Sequence, residues 1–339
     1  MRSPFSEFIS RLFPKLLTNY QTKRWRSRLV SLVCRALPTI FAIIVIIPMV
    51  YLGFLQTIEF CAYNSFTSWR GDRPWDERVI IIAIDDNSLS KIGRFPWTRN
   101  LYVQLIQKLE LTEASIVGFD ILWSESTPAD QQLAAAISRY QKVFLAMAWD
   151  KSGQPLLPIA PINNVGVAVG HILKREDVDG VVRQVDLQIR NIPTFAVSIL
   201  QAYDLITASN TLLPDLDQTL TINWTKRVKD IPQVSFSDVI DGKIPASTFR
   251  NKIVLVGVTA SGIDDLVTPL DRNPPASGVH LHAMVLQNLL QKNSFTVAKS
   301  IDIWSIALLG SLFIGLILPR QNLWTGSISG FVLSGLWLV

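Results

Sequence analysis

The run VIIIAIDDNSLSKIGRFPWTRNLYVQLIQKLE, residues 79–110, decides the fold. Its first six residues are all apolar and mostly β-branched, the pattern of a strand covered on both faces in a parallel sheet. After Pro96, Leu101, Tyr102, Leu105, Ile106 and Leu109 recur at helical spacing. Thr98 is placed to cap the start, and Gln104, Gln107 and Lys108 fall on the other face. The strand-then-helix order repeats downstream. SIVGF at 115–119 reads as a second strand ending at Asp120, and a helix is expected from Asp130 as N-cap through Leu133, Ile137 and Tyr140. KVFLAMAW at 142–149 reads as a third strand.

Further out the pattern loosens and then returns. Val165–Val169, Val181–Ile189 and Leu220–Trp224 are strand-like, the second after the turn Asp179-Gly180, and an antiparallel arrangement is expected for them. Phe195, Ile199 and Tyr203 mark a helix. KIVLVG at 252–257 restores the buried-strand pattern, followed by a Gly/Ser/Thr loop and a helix over His280–Leu290. These elements predict an α/β domain with a mixed sheet.

The two ends have a different composition. The chain has 339 residues, 49% hydrophobic and 17% charged, against roughly 25% charged in ordinary soluble proteins. Ala36–Ile58 is twenty-three residues without a charge, long enough to cross a bilayer as a helix. Ile303–Leu318 and Leu323–Val339 are further apolar runs, and the last reads as a membrane segment that continues past Val339. Residues 1–35 hold eight Lys and Arg against Glu7, a net +7, which leaves −2 of the chain's +5 for everything after. The basic residues therefore sit where an orientation signal is needed, and a nucleic-acid partner is not indicated. The expected plan is a cytoplasmic segment 1–35, a transmembrane helix 36–58, an extracytoplasmic domain 59–300, a transmembrane helix 301–319 and the start of another at 323–339. That makes a multi-pass protein of the inner (plasma) membrane with the lipid bilayer as a partner. Cys34 and Cys61 flank the first span and lie too far apart for a disulfide.

Three expected strands end in polar or glycine-rich turns: Asp85, Asp86, Asn87 and Ser88 after the first, Asp120 after the second, and Gly257–Asp265 after the last. In open α/β sheets ligands bind beyond the carboxyl ends of the strands. Asp85, Asp120 and Asp265 are candidates to converge there on a cation or polar ligand; alternatively, Asp85 and Asp120 cap turns and helix starts. In GRFPWTR, residues 93–99, Trp97 supplies an apolar plug, while Arg94 and Arg99 either bind an anion or pair with Asp85 or Asp86. The candidate ligand-binding set is Asp85, Asp86, Ser88, Arg94, Trp97, Arg99, Asp120 and Asp265. His280 and His282 lack a third ligand nearby, so no zinc site is read. The Gly257–Gly262 loop lacks the Lys-Ser/Thr of a phosphate loop, and no G-x-S-x-G elbow occurs. No catalytic residues and no cofactor are expected.

Taken together, GRFPWTR, GFDILWSE and KIVLVG with DDLVTP resemble the second type of CHASE domain, as do PADQQLAAAI, DVDGVVRQVDLQI, INW and GVHLHAMVLQNLL in the same order. This is the extracytoplasmic sensory domain of bacterial histidine kinases, adenylate cyclases and related signalling proteins. The resemblance covers about residues 60 to 295 and assigns no catalytic residue. It implies a receptor that detects an unknown extracytoplasmic ligand and relays it through membrane helices to a cytoplasmic output, a kinase or nucleotide cyclase. Homodimerisation is expected by analogy with receptors of this layout. Two alternatives stand beside it: a membrane-tethered metal-dependent hydrolase using Asp85, Asp120 and Asp265, and an envelope interaction scaffold.

Overall fold

The computed structural model describes residues 52–296 and Ser305. In chain order the elements are helix α1 (Phe54–Arg70), strand β1 (Val79–Ile84), α2 (Asp86–Ile92), α3 (Arg99–Glu110), β2 (Ile116–Asp120), α4 (Asp130–Tyr140) and β3 (Val143–Trp149). There follow β4 (Pro155–Leu156), α5 (Ala160–Asn163), β5 (Ala168–His171), β6 (Gln184–Asp186), β7 (Gln188–Ile189), β8 (Ile192–Pro193), α6 (Phe195–Thr207) and β9 (Thr219–Thr221). The last are β10 (Gln233–Ser235), α7 (Phe236–Ile240), β11 (Ile253–Val258), β12 (Asp265–Leu266), β13 (Ala276–Ser277) and α8 (Gly278–Gln291).

Strands β10, β1, β11, β2, β3 and β5 lie side by side, all parallel, and β4 adds one short antiparallel pairing to β3. Strand side chains alternate between faces, and the two faces of this sheet have separate cores. Val79, Ile81 and Ala83 of β1 pack with α6 and α8. Ile80, Ile82 and Ile84 pack with α3 and α4 and with Phe236. The result is a three-layer arrangement, which explains why VIIIAI carries no polar residue on either face.

The sheet is mixed, as expected, but through β4 alone. Of the middle strands, β5 joins the sheet, parallel to β3 rather than antiparallel as expected, while β6 with β9 and β7 with β8 form separate two-stranded antiparallel ribbons. The expected strand at 165–169 begins instead at Ala168, and the one at 181–189 divides into β6 and β7. Thr98 is the N-cap of α3 without a side-chain cap bond, and Ala129 rather than Asp130 is the N-cap of α4.

The chain divides into two compact units, Tyr63–Val297 and Met1–Ala62 with Ala298–Val339. Of the second, only residues 52–62 and Ser305 are described. The expected spans at 301–319 and 323–339, most of 36–58 and the basic segment 1–35 fall outside the described residues. The helix present at Ile58 does not stop there, since α1 continues to Arg70. Among the described residues no helix is long and apolar enough to cross a membrane. Cys61 is free and exposed.

Candidate functional site

A crevice at the carboxyl edge of the sheet follows from the connections. The chain leaves β2 for α4 on one face and leaves β11 for α8 on the other, so these two adjacent strands part where they end. Asp120 closes β2 opposite Gly257 of β11. Glycine is required at Gly257: a Cβ there would come within 2.6 Å of Val279 at the start of α8. At Gly278, the first residue of α8, a Cβ would sit 2.3 Å from Asp264 Oδ2 and 3.4 Å from Asp120 Oδ2, so a side chain there would displace Asp264. Both oxygens are thus close to one point, and the two carboxyl groups lie no more than about 6 Å apart, near enough for Asp264 to raise the cost of ionising Asp120.

Asp264 is well served by donors. The Gly278 backbone N–H donates to its Oδ2 at 2.9 Å, and Lys174 Nζ donates to its Oδ1 at 3.4 Å. Asp120 is not. Its side chain is 5% exposed, its nearest partner is His282 Nε2 at 3.9 Å, and no hydrogen-bond donor reaches it among the described residues. Burial, together with the negative charge of Asp264 and against the pull of Lys174, pushes the Asp120 carboxyl up to about 8. Burial drives His282 down to about 3, with His171 adding to the effect, so its imidazole is neutral and offers no cation to Asp120. His171, at the end of β5, is fully buried with no well-formed hydrogen bond at either ring nitrogen, and burial lowers it to about 4.

Most of the sequence-based candidates belong elsewhere. Asp85 is the N-cap of α2: its Oδ1 accepts from the Ser88 backbone N–H at 2.8 Å, Ser88 Oγ at 2.6 Å and Ser235 Oγ at 2.9 Å. Those partners lie on the β10 side of β1, away from Asp120, and Ser88 is buried among them. Asp86 and Arg94 are exposed. Asp265 caps its own loop, accepting from the Gly262 N–H at 3.0 Å, and its neighbour Asp264 is the residue that reaches Asp120. Trp97 is a buried plug against Phe236, its indole N–H donating to the Gly93 carbonyl at 2.8 Å. Arg99 pairs with neither Asp85 nor Asp86 but with Asp130 at 3.1 Å, in a buried contact that also reaches the Glu125 carbonyl. Asp85, Asp120 and Asp265 therefore do not converge. Among the described residues no three His, Cys, Asp or Glu side chains are placed to hold a metal ion, so the hydrolase alternative lacks its donor set there.

The CHASE2 domain family model matches residues 41–318, more than half of the chain. The chain belongs to the CHASE2 domain family. CHASE2 domains are extracytoplasmic sensory domains found in signalling proteins. No curated protein and no solved structure matches the chain.

In this CHASE2 domain α8 connects the acidic crevice to both chain exits of the compact unit. The helix has 14 residues, so it reaches about 21 Å from Gly278. At its far end buried Asn288 clasps the backbone of Asn223, Oδ1 accepting from N–H at 2.6 Å and Nδ2 donating to the carbonyl at 2.9 Å. Gln287 holds the Pro74 carbonyl and the Asp76 N–H. The segment around Asn223 is in turn gripped by α1, through Tyr63 Oη on the Ile222 carbonyl and Arg70 on the Trp224 carbonyl. On the C-terminal side Phe295 pairs with Thr221, and Asn223 Nδ2 donates to the Asn293 carbonyl. A groove of about 490 Å³ lined by Phe66, Trp69, Arg70, Arg73 and Phe295 opens at this end. Sequence reasoning missed Asp264, Lys174, His171 and Asn288. The one signal available was His282 between Leu281 and Ala283 on an apolar helix, a place where a polar ring needs a reason.

Proposed function

We propose that this protein is a plasma-membrane receptor: its CHASE2 domain lies outside the cytoplasm between membrane helices, detects a stimulus at the Asp120 crevice, and relays it along α8 to a cytoplasmic kinase or nucleotide-cyclase output. The observation that carries this reading is the single helix running from a buried, unpaired carboxylate to the segment that clasps both exits of the compact unit. A relay of this kind requires two arrangements of a shared element with different affinity for the stimulus. The junction of α8 with residues 221–225 has the discrete hydrogen bonds through which such arrangements exchange. Family membership supports the sensory role, and the +7 segment ahead of an apolar run supports the orientation. Alkaline phosphatase fused after residue 150 tests the placement. Activity is expected of the fusion, and an inactive, stably produced fusion overturns the reading.

A further inference from the structure

We propose that the ligand of the crevice is the proton: Asp120 is held as the neutral acid beside Asp264, and loss of its proton to solvent is the event to which the start of α8 responds. The inference rests on the receptor reading for its consequence, though not for its chemistry. The geometry carries it in three steps. First, an ionised carboxylate that is 5% exposed and receives no donor among the described residues is a costly group, and neutralisation is the ordinary relief. Second, the relief does not come from a neighbouring cation. Among the described residues, the charged and titratable groups acting on Asp120 are Asp264 from the loop after β11, Lys174 from the segment after β5, and His282 from α8, with His171 of β5 beyond His282. β3 presents only VFLAMAW, and β11 presents Gly257. Lys174 is committed to Asp264 and to the Asp265 carbonyl. Third, the start of α8 closes on the pair: the Gly278 N–H is bound to Asp264 Oδ2 at 2.9 Å, and a Cβ on Gly278 would lie 3.4 Å from Asp120 Oδ2. A proton needs no cavity.

The consequence is local and directional. Asp264 binds the first N–H of α8, where the positive end of the helix dipole favours an anion. A second anion appearing at Asp120 repels Asp264 across no more than about 6 Å and competes for the same helix terminus. The burial and neighbour effects on Asp120 set the change at about pH 8, within reach of ordinary environments.

The test is infrared difference spectroscopy on the full chain in lipid bilayers, titrated from about pH 6 to about pH 9, following the protonated-carboxyl stretch. Wild type is expected to lose such a band with a midpoint near pH 8, and Asp120→Asn to show none. Asp264→Asn should lower the midpoint by about one pH unit, and Lys174→Met, at a side chain on the rim of the site, should raise it. Absence of a titrating buried carboxyl in wild type, or its persistence in Asp120→Asn, overturns the assignment. If the fusion after residue 150 is active and no carboxyl titrates, the proton assignment falls and the receptor stands with another ligand. If the carboxyl titrates and the fusion is inactive, the receptor reading falls alone.

Discussion

Replacing Asp120 by Asn should remove a pH dependence of stability that the wild-type chain carries. In the unfolded chain the Asp120 carboxyl titrates near its ordinary value of 3.8, and in the fold it titrates at about 8. Below pH 3.8 both states are protonated and the burial of Asp120 costs nothing electrostatic. As pH rises from there, the unfolded state releases its proton and the folded state does not, so stability falls until the folded carboxyl also ionises. The slope is about 1.4 kcal/mol per pH unit, and between pH 5 and pH 8 the loss amounts to about 4 kcal/mol. Asn has nearly the shape of the neutral acid and no proton to lose. Urea unfolding of the full chain, followed by tryptophan emission at pH 5, 6, 7 and 8, should therefore show the wild-type minus variant difference dropping by about 4 kcal/mol across the series. Parallel curves over that range would refute the reasoning, because they would mean that Asp120 is solvated or paired.

Other consequences follow from the same contacts. Asn288→Ala leaves the N–H and carbonyl of Asn223 without their partner, and a loss of about 2–4 kcal/mol in unfolding free energy is expected, with the fastest new amide exchange at residues 221–225. Arg99→Ala removes the cation from buried Asp130, which keeps its Thr127 donors, and should cost about 1.5–3 kcal/mol, while the Asp120 titration stays in place because that pair lies in the other core. Trp97→Ala should cost about 3–5 kcal/mol by the same measurement, since Trp97 fills the core beside Phe236. Gly278→Ala pushes Asp264 off the start of α8 and should shift the Asp120 midpoint measured by infrared titration, which a purely destabilising change would leave alone.

What could be read from the sequence was the part governed by local pattern. β1, β2, β3 and β11 are buried on both faces, so their apolar runs were unmistakable, and α3, α4, α6 and α8 carry apolar stripes at helical spacing. The misses are short or polar. β10 is an edge strand of three residues, Gln-Val-Ser, and α2 is two turns with few apolar residues. Neither has enough periodicity to register. Placement of the crevice was legible, because Asp120 at a strand's carboxyl end follows from the general rule. Its membership was not. Asp264 and Asp265 are adjacent and chemically alike, and the one that turns inward is chosen by a loop with Gly262 at φ 82°. Lys174 and His171 arrive through the pairing of β5 with β3, a contact with no local signature. Arg99 was correctly suspected of pairing with a carboxylate, but its partner Asp130 is 31 residues along the chain and meets it only through the packing of α3 on α4.

The most direct test of the account is amide hydrogen exchange of the full chain in lipid bilayers, read at residues 221–225 and 287–293 and corrected for intrinsic rates, at about pH 6.5 and about pH 9. A relay along α8 predicts that ionising Asp120 changes protection at this distant junction in wild type, with no change in Asp120→Asn. Protection at the junction that is the same at both pH values in wild type, while residues 262–282 do respond, would contradict the relay.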